Sequence, residues 1–431
     1  MADPGRQNQA RIFTGGFAGR RPLIPCAPEA LERAALARMR GHAAAYVAGG
    51  AGLERSMAAN RAAFDHYRIL QRVLRDVSDR RLLVELFGRR LPLPLLLAPI
   101  GVLEMAQRRG DLAAARAAAS EGLTFVTSSQ SSAPLEEIAA ACGEGPRWFQ
   151  LYWSSSDALM RSFMRRAEAA GYEAIVLTLD TTQLGWRPRD LDRGYLPFLR
   201  GRGLANYVSD PVFRGLPPPN LAAAERPPLG LRSLPAGLEL LCNWPGGMRQ
   251  ALASPRAVVQ AVQRFIAVYS RPDLTWEHLP ALRRATRLPI LLKGILHPDD
   301  ARRALDAGMD GIIVSNHGGR QVDGGVAALD MLPPVAEAVA GRVPVLFDSG
   351  IRTGADVIKA LSLGARAVLL GRPYVYGLAL AGEAGVRQVI RNFAAELDLT
   401  LALMGRRGLD ELDASALAPA LVPSLRGQSC G

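Results

Sequence analysis

Residues 312–325 read IIVSNHGGRQVDGG, and this stretch joins the end of a buried strand to a group of chemically active side chains. The apolar run at 312–314 is typical of a strand in a protein core. It stops at Ser315, and Asn316, His317, two glycines and Arg320 follow. Two glycines alone would let a buried strand turn away from the core. A histidine and an arginine at this point therefore predict a base and a cation held at the mouth of a strand.

Short β-rich runs alternate with helical ones from about residue 92 onward. The predicted strands are 95–99, 124–129, 148–152, 174–180, 290–294, 311–316, 343–349 and 367–372. Amphipathic helical segments follow most of them, and several end in glycine, as helix C-termini commonly do. This alternation predicts an α/β fold, a (β/α)8 TIM barrel. An open doubly wound sheet is the alternative, but no G-x-G-x-x-G follows the first strand.

The connection after the fourth strand departs from this regular alternation. About ninety residues rich in Pro, Gly and Arg separate Arg187 from Trp276. Loops of this length are commonly lids or binding loops, and otherwise linkers, so we expect 188–275 to form a lid. We predict one domain over 1–431. Its parts are an N-terminal helical and hairpin-like flank at 28–90, the barrel at 92–385 with its lid insertion, and a C-terminal helix and tail at 386–431.

Composition restricts the class of protein. Of 431 residues, 49% are hydrophobic and 21% charged, as is ordinary for a globular chain. The net charge of +12 comes from arginines spread along the chain without a basic helix, so no nucleic-acid partner is expected. The four scattered cysteines form no C-x-x-C pair. No signal peptide or membrane-spanning stretch is found. We therefore expect a cytoplasmic protein with no membrane partner and no metal site.

In a barrel of this kind the active site lies at the carboxyl ends of the strands. Lys293, in the fifth strand, is one of only two lysines among 52 basic residues. It could place a compact charge beside a ring that becomes anionic on reduction. Arg187 and Arg320 could bind a substrate carboxylate. Asp180 could set the tautomer of His317 and favour its protonated form. Glycine-rich turns with arginines close strands seven and eight, where barrels commonly hold phosphate.

Neutral hydrogen-bonding side chains close the earlier strands. Ser128, Gln150 and Thr178 could read the edge of a flat heterocycle. Each candidate also has an ordinary structural explanation: His317 could be a satisfied core histidine, and Asp180 a helix cap. If all of these residues were only structural, their occurrence together at one face of one barrel would be a coincidence. Taken together, the structural explanations are therefore disfavoured.

The motifs FQLY, LTLD, LLKG, SNHGGRQ, FDSGIRTG and LLGRP, in this order, resemble those of the FMN-dependent 2-hydroxy acid oxidase and dehydrogenase family. The resemblance runs from about residue 40 to about residue 410. AYVAGGAG, LDTTQLGWRPRDL, PFLRG and NYVSDPVF are most similar to lactate 2-monooxygenase, a branch with an enlarged loop after strand four. The resemblance implies FMN as cofactor and a small-molecule 2-hydroxy acid and O2 as substrates. It also implies a homo-oligomer, either a tetramer or an octamer.

The resemblance also implies roles for individual residues. His317, supported by Asp180, would take the substrate hydroxyl proton while the Cα hydrogen leaves as hydride to flavin N5. Tyr152 would hydrogen-bond the substrate oxygen, and Lys293 would lie beside flavin N1. The substrate carboxylate would be bound by Tyr46, Arg187 and Arg320, with Tyr152 beside them. The implied FMN-binding set is Pro99, Ile100, Gly101, Ser128, Gln150, Thr178, Lys293, Ser315, Asp348, Gly350, Arg352, Gly371 and Arg372.

In lactate 2-monooxygenase the 2-oxo acid is held with the peroxide formed from oxygen, and oxidative decarboxylation gives acetate, carbon dioxide and water. A closed lid would favour this outcome, and Gly101 would leave space near the flavin. Gln130 departs from the family, which usually has a bulkier apolar or aromatic side chain there, and 216–248 aligns with no family segment. The open alternatives are an oxidase or dehydrogenase of a larger or biosynthetic 2-hydroxy acid, a membrane-associated dehydrogenase, and an inactive scaffold protein.

Overall fold

Eight parallel strands close into a barrel in the computed structural model, which describes residues 3–39, 41–217, 219 and 230–420. In chain order β1–β8 are Leu95–Leu97, Thr124–Ser128, Arg147–Leu151, Ile175–Thr178, Ile290–Ile295, Gly311–Val314, Val345–Phe347 and Ala367–Leu370. Each strand pairs with the next, and β8 pairs with β1 through Val368 and Leu95. The predicted (β/α)8 TIM barrel is confirmed.

Seven of the eight predicted strands run one or two residues past the observed carboxyl end. The first residue past an end can still bond to a neighbouring strand, as the Asp348 N–H does to the Val314 carbonyl over 3.0 Å, but side chains then become the partners. After β6, the backbone N–H of His317 donates to Ser315 Oγ over 3.0 Å, and that of Asn316 donates to Ser349 Oγ over 3.3 Å. The strands therefore stop where their polar residues begin to build the mouth of the barrel.

The barrel interior is apolar, and a hairpin covers its amino-terminal end. The hairpin strands Val84–Leu86 and Arg89–Leu91 pair antiparallel. Their side chains Val84, Leu86 and Leu91 join one buried cluster with barrel residues such as Leu96 and Val126. The helices ahead of the hairpin are Pro28–Met39, Gly41–Ala48 and Arg55–Ala62. These elements agree with the helical and hairpin-like flank expected at 28–90.

Helices pack around the outside of the barrel. They are Gly110–Ser120, Leu135–Cys142, Asp157–Ala169, Leu279–Ala285, Pro298–Asp306, Ala328–Val339, Gly354–Ser362 and Arg372–Leu403. Ala328–Val339 is helical although Pro333 and Pro334 lie inside it. An N-terminal helix, Pro4–Phe17, was not predicted. Within the described part of the chain, no helix combines the length and apolar character needed to span a bilayer.

The last helix begins well before residue 386, where the C-terminal helix was predicted to start. It spans Arg372–Leu403, with non-helical backbone at Ala381 and Gly382. The part of the predicted tail at 421–431 lies outside the described residues.

The insertion after β4 is largely helical, although its Pro- and Gly-rich composition did not indicate this. Its helices are Pro188–Leu191, Ala205–Ser209, Pro211–Gly215, Leu234–Cys242, Gly247–Ala253 and Pro255–Val268. Residues 218 and 220–229, part of the segment without a family counterpart, lie outside the described residues.

An aromatic cluster attaches the insertion to the barrel. The Tyr207 ring lies 4.8 Å from that of Phe265 and 5.2 Å from that of Phe163 on the barrel helix after β3, both edge to face. Phe198 packs 4.9 Å from Phe265. Such aromatic contacts contribute beyond the area they bury, so the insertion is held against the barrel by its own small core.

Asp111, in the first turn of Gly110–Ser120, is a buried acid whose ionisation opposes folding. Burial raises its pKa to about 7 from the ordinary 3.8, although the Ser132 backbone N–H donates to it over 3.1 Å. The native state therefore holds this proton more tightly than the unfolded chain. The stability that depends on Asp111 is complete below about pH 3.8 and is lost as the pH rises through about 7.

We expect Asp111→Asn, which keeps an oxygen acceptor for the Ser132 N–H, to remove this pH dependence. The change in the free energy of unfolding between pH 5 and pH 8 should differ from that of the wild type by about 2 kcal/mol. Urea denaturation at both pH values measures it. Asp299→Asn, at an exposed acid in the first turn of another helix, is the control. Equal pH dependence in wild type and Asp111→Asn would contradict the expectation.

Candidate active site

His317 follows β6 in a left-handed backbone conformation and pairs with Asp180 beyond the end of β4. Its φ is 57°, and Gly318 and Gly319 follow with φ of 64° and 74°. His317 Nδ1 lies 2.8 Å from Asp180 Oδ1, and Thr181 Oγ1 donates to the same oxygen over 2.9 Å. Among the described residues, the buried Asp180 Oδ2 has no hydrogen-bond partner. With Nδ1 engaged by Asp180, Nε2 is the nitrogen left to act on a ligand.

Burial and neighbouring charges set the protonation of this pair. Burial opposes ionisation of Asp180, but attraction from His317 and Lys293 holds the pKa of its carboxyl at about 2. Burial lowers the pKa of His317, and the charges of Lys293 and Arg187 act in the same direction. Asp180 favours the protonated imidazole, as predicted, but burial outweighs it. The neutral imidazole therefore predominates at neutral pH and can accept a proton.

Lys293 of β5 is a buried cation beside this pair. Its Nζ donates to Ser315 Oγ over 2.7 Å and lies 3.1 Å from Asp348 Oδ2. Burial alone would lower the pKa of Lys293, but Asp348 and Asp180 raise it above the ordinary value. The ammonium therefore keeps its charge in the floor of the site.

Arg320 and Arg187 present two guanidinium groups to the same cavity. Arg320 Nη1 donates to the carbonyl oxygens of Tyr46 and Gly49 over 2.6 and 2.7 Å, and the guanidinium lies 5.1 Å over the Tyr46 ring. Arg187 Nη2 donates to Gln321 Oε1 over 2.6 Å. Burial, with the nearby Arg187, lowers the pKa of Arg320 to about 9. Among the described residues neither arginine has a carboxylate in ion-pair contact, so a ligand carboxylate would supply the missing charge.

A second pair of arginines lies at the ends of β7 and β8. Arg372 donates to the carbonyl oxygens of Val47 and Gly49, both over 3.0 Å, and Arg352 donates to its own neighbour Ile351 over 2.9 Å. Burial lowers the pKa of both, that of Arg372 to about 10. No described acidic side chain forms an ion pair with either guanidinium. Two buried cations without counter-ions suit a phosphate dianion, so the residues expected to hold the phosphate of FMN fit that group.

The neutral hydrogen bonders form a row across neighbouring strand ends. Ser128 Oγ donates to Gln150 Oε1 over 3.2 Å, and Gln150 Nε2 donates to Thr178 Oγ1 over 3.1 Å. Sequence order alone does not show these contacts, because the three residues lie on three different strands. The row adjoins the charged group through β4 and β5, where Thr178 pairs with Lys293.

One cavity of about 380 Å³ brings most of the predicted residues together. Its lining includes the predicted residues Tyr46, Pro99, Ile100, Gly101, Tyr152, Arg187, Lys293, His317, Arg320, Asp348, Gly350, Arg352, Gly371 and Arg372. The predicted residues outside this lining are Ser128, Gln150, Thr178, Asp180 and Ser315. Of these, Asp180 hydrogen-bonds the lining residue His317, and Ser315 hydrogen-bonds the lining residue Lys293.

Several cavity residues were missed by sequence reasoning. Thr181 lines the cavity and bonds Asp180, and its hydroxyl directly after a predicted acid could have signalled it. Tyr195, Phe198 and Tyr269 reach the cavity from the insertion. Phe198 belongs to the PFLRG motif, but no strand end or motif marks Tyr195 or Tyr269, so only the path of the insertion reveals those two.

The chain matches the family described as FMN-dependent dehydrogenase over residues 35–419. L-lactate oxidase of Lysinibacillus sphaericus is 42% identical over 382 residues, covering 89% of this chain and 90% of that protein. 4-Hydroxymandelate oxidase of Amycolatopsis orientalis is 40% identical over 375 residues, covering 87% and 93%. L-lactate dehydrogenase of Xanthomonas euvesicatoria is 39% identical over 397 residues, covering 92% and 97%.

The solved structure of mandelate oxidase with (S)-4-hydroxymandelic acid superposes with a TM-score of 0.75 at 38% identity, covering 92% of this chain and all of that one. The predicted family and cofactor are thus confirmed, while the substrates named for these relatives differ. The family match covers most of the chain, and the barrel and the charged cavity are consistent with it. The chain therefore belongs to the FMN-dependent dehydrogenase family and is an FMN-dependent 2-hydroxy acid oxidoreductase.

Proposed function

We propose that the protein oxidises a small L-2-hydroxy acid, is reoxidised by O2, and decarboxylates the retained 2-oxo acid. With lactate the balanced reaction is lactate plus O2 to acetate, carbon dioxide and water. The observation that supports the decarboxylation is that Tyr195, Phe198 and Tyr269 of the insertion line the cavity, and that the insertion is tied to the barrel. The cytoplasmic location, the assembly into a tetramer or octamer, and the division of the domain into flank, barrel, lid and tail stay predictions.

We assign different roles in substrate binding and proton transfer to different cavity residues. Bound FMN supplies the two-electron acceptor. We assign the substrate carboxylate to Arg187 and Arg320, with Tyr46 beside them, since these two cations have no carboxylate partner among the described residues. His317 Nε2 accepts the hydroxyl proton, and Asp180 stabilises the resulting imidazolium because its own carboxyl stays ionised.

Tyr152 is suited to donate a hydrogen bond to the reacting oxygen. It lines the cavity, and burial, with the nearby charge of Asp180, raises the pKa of its hydroxyl well above the ordinary 10. The hydroxyl therefore stays protonated and acts as a donor, leaving proton acceptance to His317.

A chain of polar contacts ties the insertion to the rim of the barrel. Tyr195, which lines the cavity, donates to Glu239 Oε1 over 3.0 Å. Arg202 lies 3.7 Å from the same oxygen and donates to Glu104, in the connection after β1, over 3.1 Å. Arg202 thus pairs with both Glu104 and Glu239, and Glu239 in turn holds Tyr195 at the cavity. A cover held in this way slows escape of the 2-oxo acid, so that it reacts further before it leaves.

Proton NMR of an air-saturated mixture of purified protein and L-lactate tests the proposal. Acetate is the expected main product. We expect Arg202→Gln to raise the ratio of pyruvate to acetate, because it releases the insertion from Glu104. Arg193→Gln, at an exposed arginine of the same insertion, should leave the ratio unchanged. Pyruvate with hydrogen peroxide as the main wild-type products would contradict retention.

A second candidate function is an oxidase or dehydrogenase that releases its 2-oxo acid, with hydrogen peroxide when O2 is the acceptor, and acts on a larger or biosynthetic substrate. The observation that favours it is the polar side chain of Gln130 in the cavity wall. A simple methyl substituent, as in lactate, offers that side chain no partner.

A further inference from the structure

Gln130, two residues beyond the end of β2, brings a buried amide to the cavity. Its side chain lines the cavity, and the residue is 8% exposed. Across the described ranges, no protein group is within hydrogen-bonding distance and geometry of its side-chain amide. Its amide is therefore free to hydrogen-bond a molecule in the cavity. An amide kept in such a place is therefore a candidate for contact with a ligand.

Hydrogen bonds hold the backbone that carries Gln130. Its N–H donates to Ser128 Oγ over 3.1 Å, and its carbonyl accepts from the Val102 N–H over 2.9 Å. Asn206 of the insertion, fully buried, donates to the carbonyl oxygens of Ser128 and Ser129, both over 3.2 Å. A held backbone limits the part of the cavity that the side-chain amide can reach.

The neighbours of Gln130 are glycine backbone and an aromatic ring. A Cβ added at Gly101 would lie 3.3 Å from Gln130 Cβ and 3.4 Å from its Oε1. A Cβ added at Gly203 would lie 3.0 Å from the Gln130 carbonyl oxygen and 3.1 Å from the ring of Phe198. The Gln130 side chain therefore lies against the side of Gly101 where an alanine methyl would be.

We infer that Gln130 selects a 2-hydroxy acid whose side chain carries an uncharged hydrogen-bonding group, a hydroxyl or an amide. This inference rests on the oxidation of a 2-hydroxy acid that both candidate functions share, and it names the substrate class. A carboxylate or ammonium at Gln130 would face a neutral amide, which compensates a buried charge poorly. An alkyl side chain would leave the amide unpaired, and sites built to hydrogen-bond a substrate group reject analogues that lack it.

Two pairs of L-2-hydroxy acids of matched size test the inference. They are glycerate against 2-hydroxybutanoate, and 2,4-dihydroxybutanoate against 2-hydroxypentanoate, so that a hydroxyl replaces a methyl at two distances. The readout is the rate constant of anaerobic flavin bleaching divided by the apparent dissociation constant. The wild type should prefer the hydroxyl acid by about tenfold or more in at least one pair. Gln130→Met, of similar size but apolar, should abolish or reverse that preference.

The control is Gln388→Met, the same change at a glutamine that is also 8% exposed but bonds Arg11 and Asn392 away from the cavity. It should keep the wild-type preference. Equal wild-type rates within both pairs, or a preference that Gln130→Met leaves unchanged, would overturn the inference and leave the proposed function standing. If neither the four acids nor L-lactate bleach the flavin of wild-type protein with bound FMN, both the inference and the proposed function fail. If Gln130→Met does not fold, the wild-type comparison alone decides.

Discussion

His317→Ala is expected to retain FMN but to be reduced by a 2-hydroxy acid about 10²–10⁴-fold more slowly than the wild type. The imidazole is the proposed base, and Asp180, 2.8 Å from its Nδ1, would stabilise the cation that forms when the proton moves. That stabilisation develops only in the transition state, so the rate constant of reduction should fall more than substrate affinity. FMN should stay bound because Arg352 and Arg372, assigned to its phosphate, are untouched.

Anaerobic stopped-flow measurement of flavin bleaching tests this expectation. Because His317 has a φ of 57°, alanine is strained there, and His317→Asn is a useful second variant since asparagine tolerates the left-handed region. His66→Ala is the control, because exposed His66 also faces an aspartate, with its Nδ1 3.6 Å from Asp330. Near wild-type bleaching in both His317 variants would rule out the assigned base.

Arg320→Lys should lower kcat/KM by about 10²–10³-fold, mostly through weaker substrate binding. The guanidinium donates to two backbone carbonyls, of Tyr46 and Gly49, and still has N–H groups to offer a carboxylate. A lysine ammonium is a single point and cannot span these partners. Breaking a buried charge-assisted contact of this kind typically costs about 2–5 kcal/mol.

Steady-state kinetics and titration with oxalate, a carboxylate that cannot be oxidised in this way, separate binding from turnover. Both KM and the oxalate dissociation constant should rise in Arg320→Lys. Arg303→Lys is the matched control, since Arg303 also stacks on an aromatic ring, Trp276 at 5.8 Å, but on the exposed surface. Unchanged oxalate affinity in Arg320→Lys would remove Arg320 from the carboxylate site.

Much of the fold and of the candidate site was predictable because each feature is local in the chain. Buried parallel strands are read as apolar runs, and the polar residues that end them, such as His317 and Lys293, follow directly in sequence. In a barrel all those ends meet at one face, so the list of strand ends already held most of the residues that line the cavity or contact those that do. Ser128, Gln150 and Thr178 end successive strands, so the strand order of the barrel is enough to explain why they contact one another.

The sequence by itself determined the barrel, the cofactor family and the residue types at the strand ends, since all of these depend on short-range patterns. Only the tertiary structure decided that His317 is neutral, because burial outweighs the adjacent Asp180. It also decided that Tyr195 and Phe198 of the insertion line the cavity, and that the Gln130 amide has no protein partner among the described residues. These properties depend on which distant groups surround an atom and how much water they exclude, and no local pattern in the chain records that.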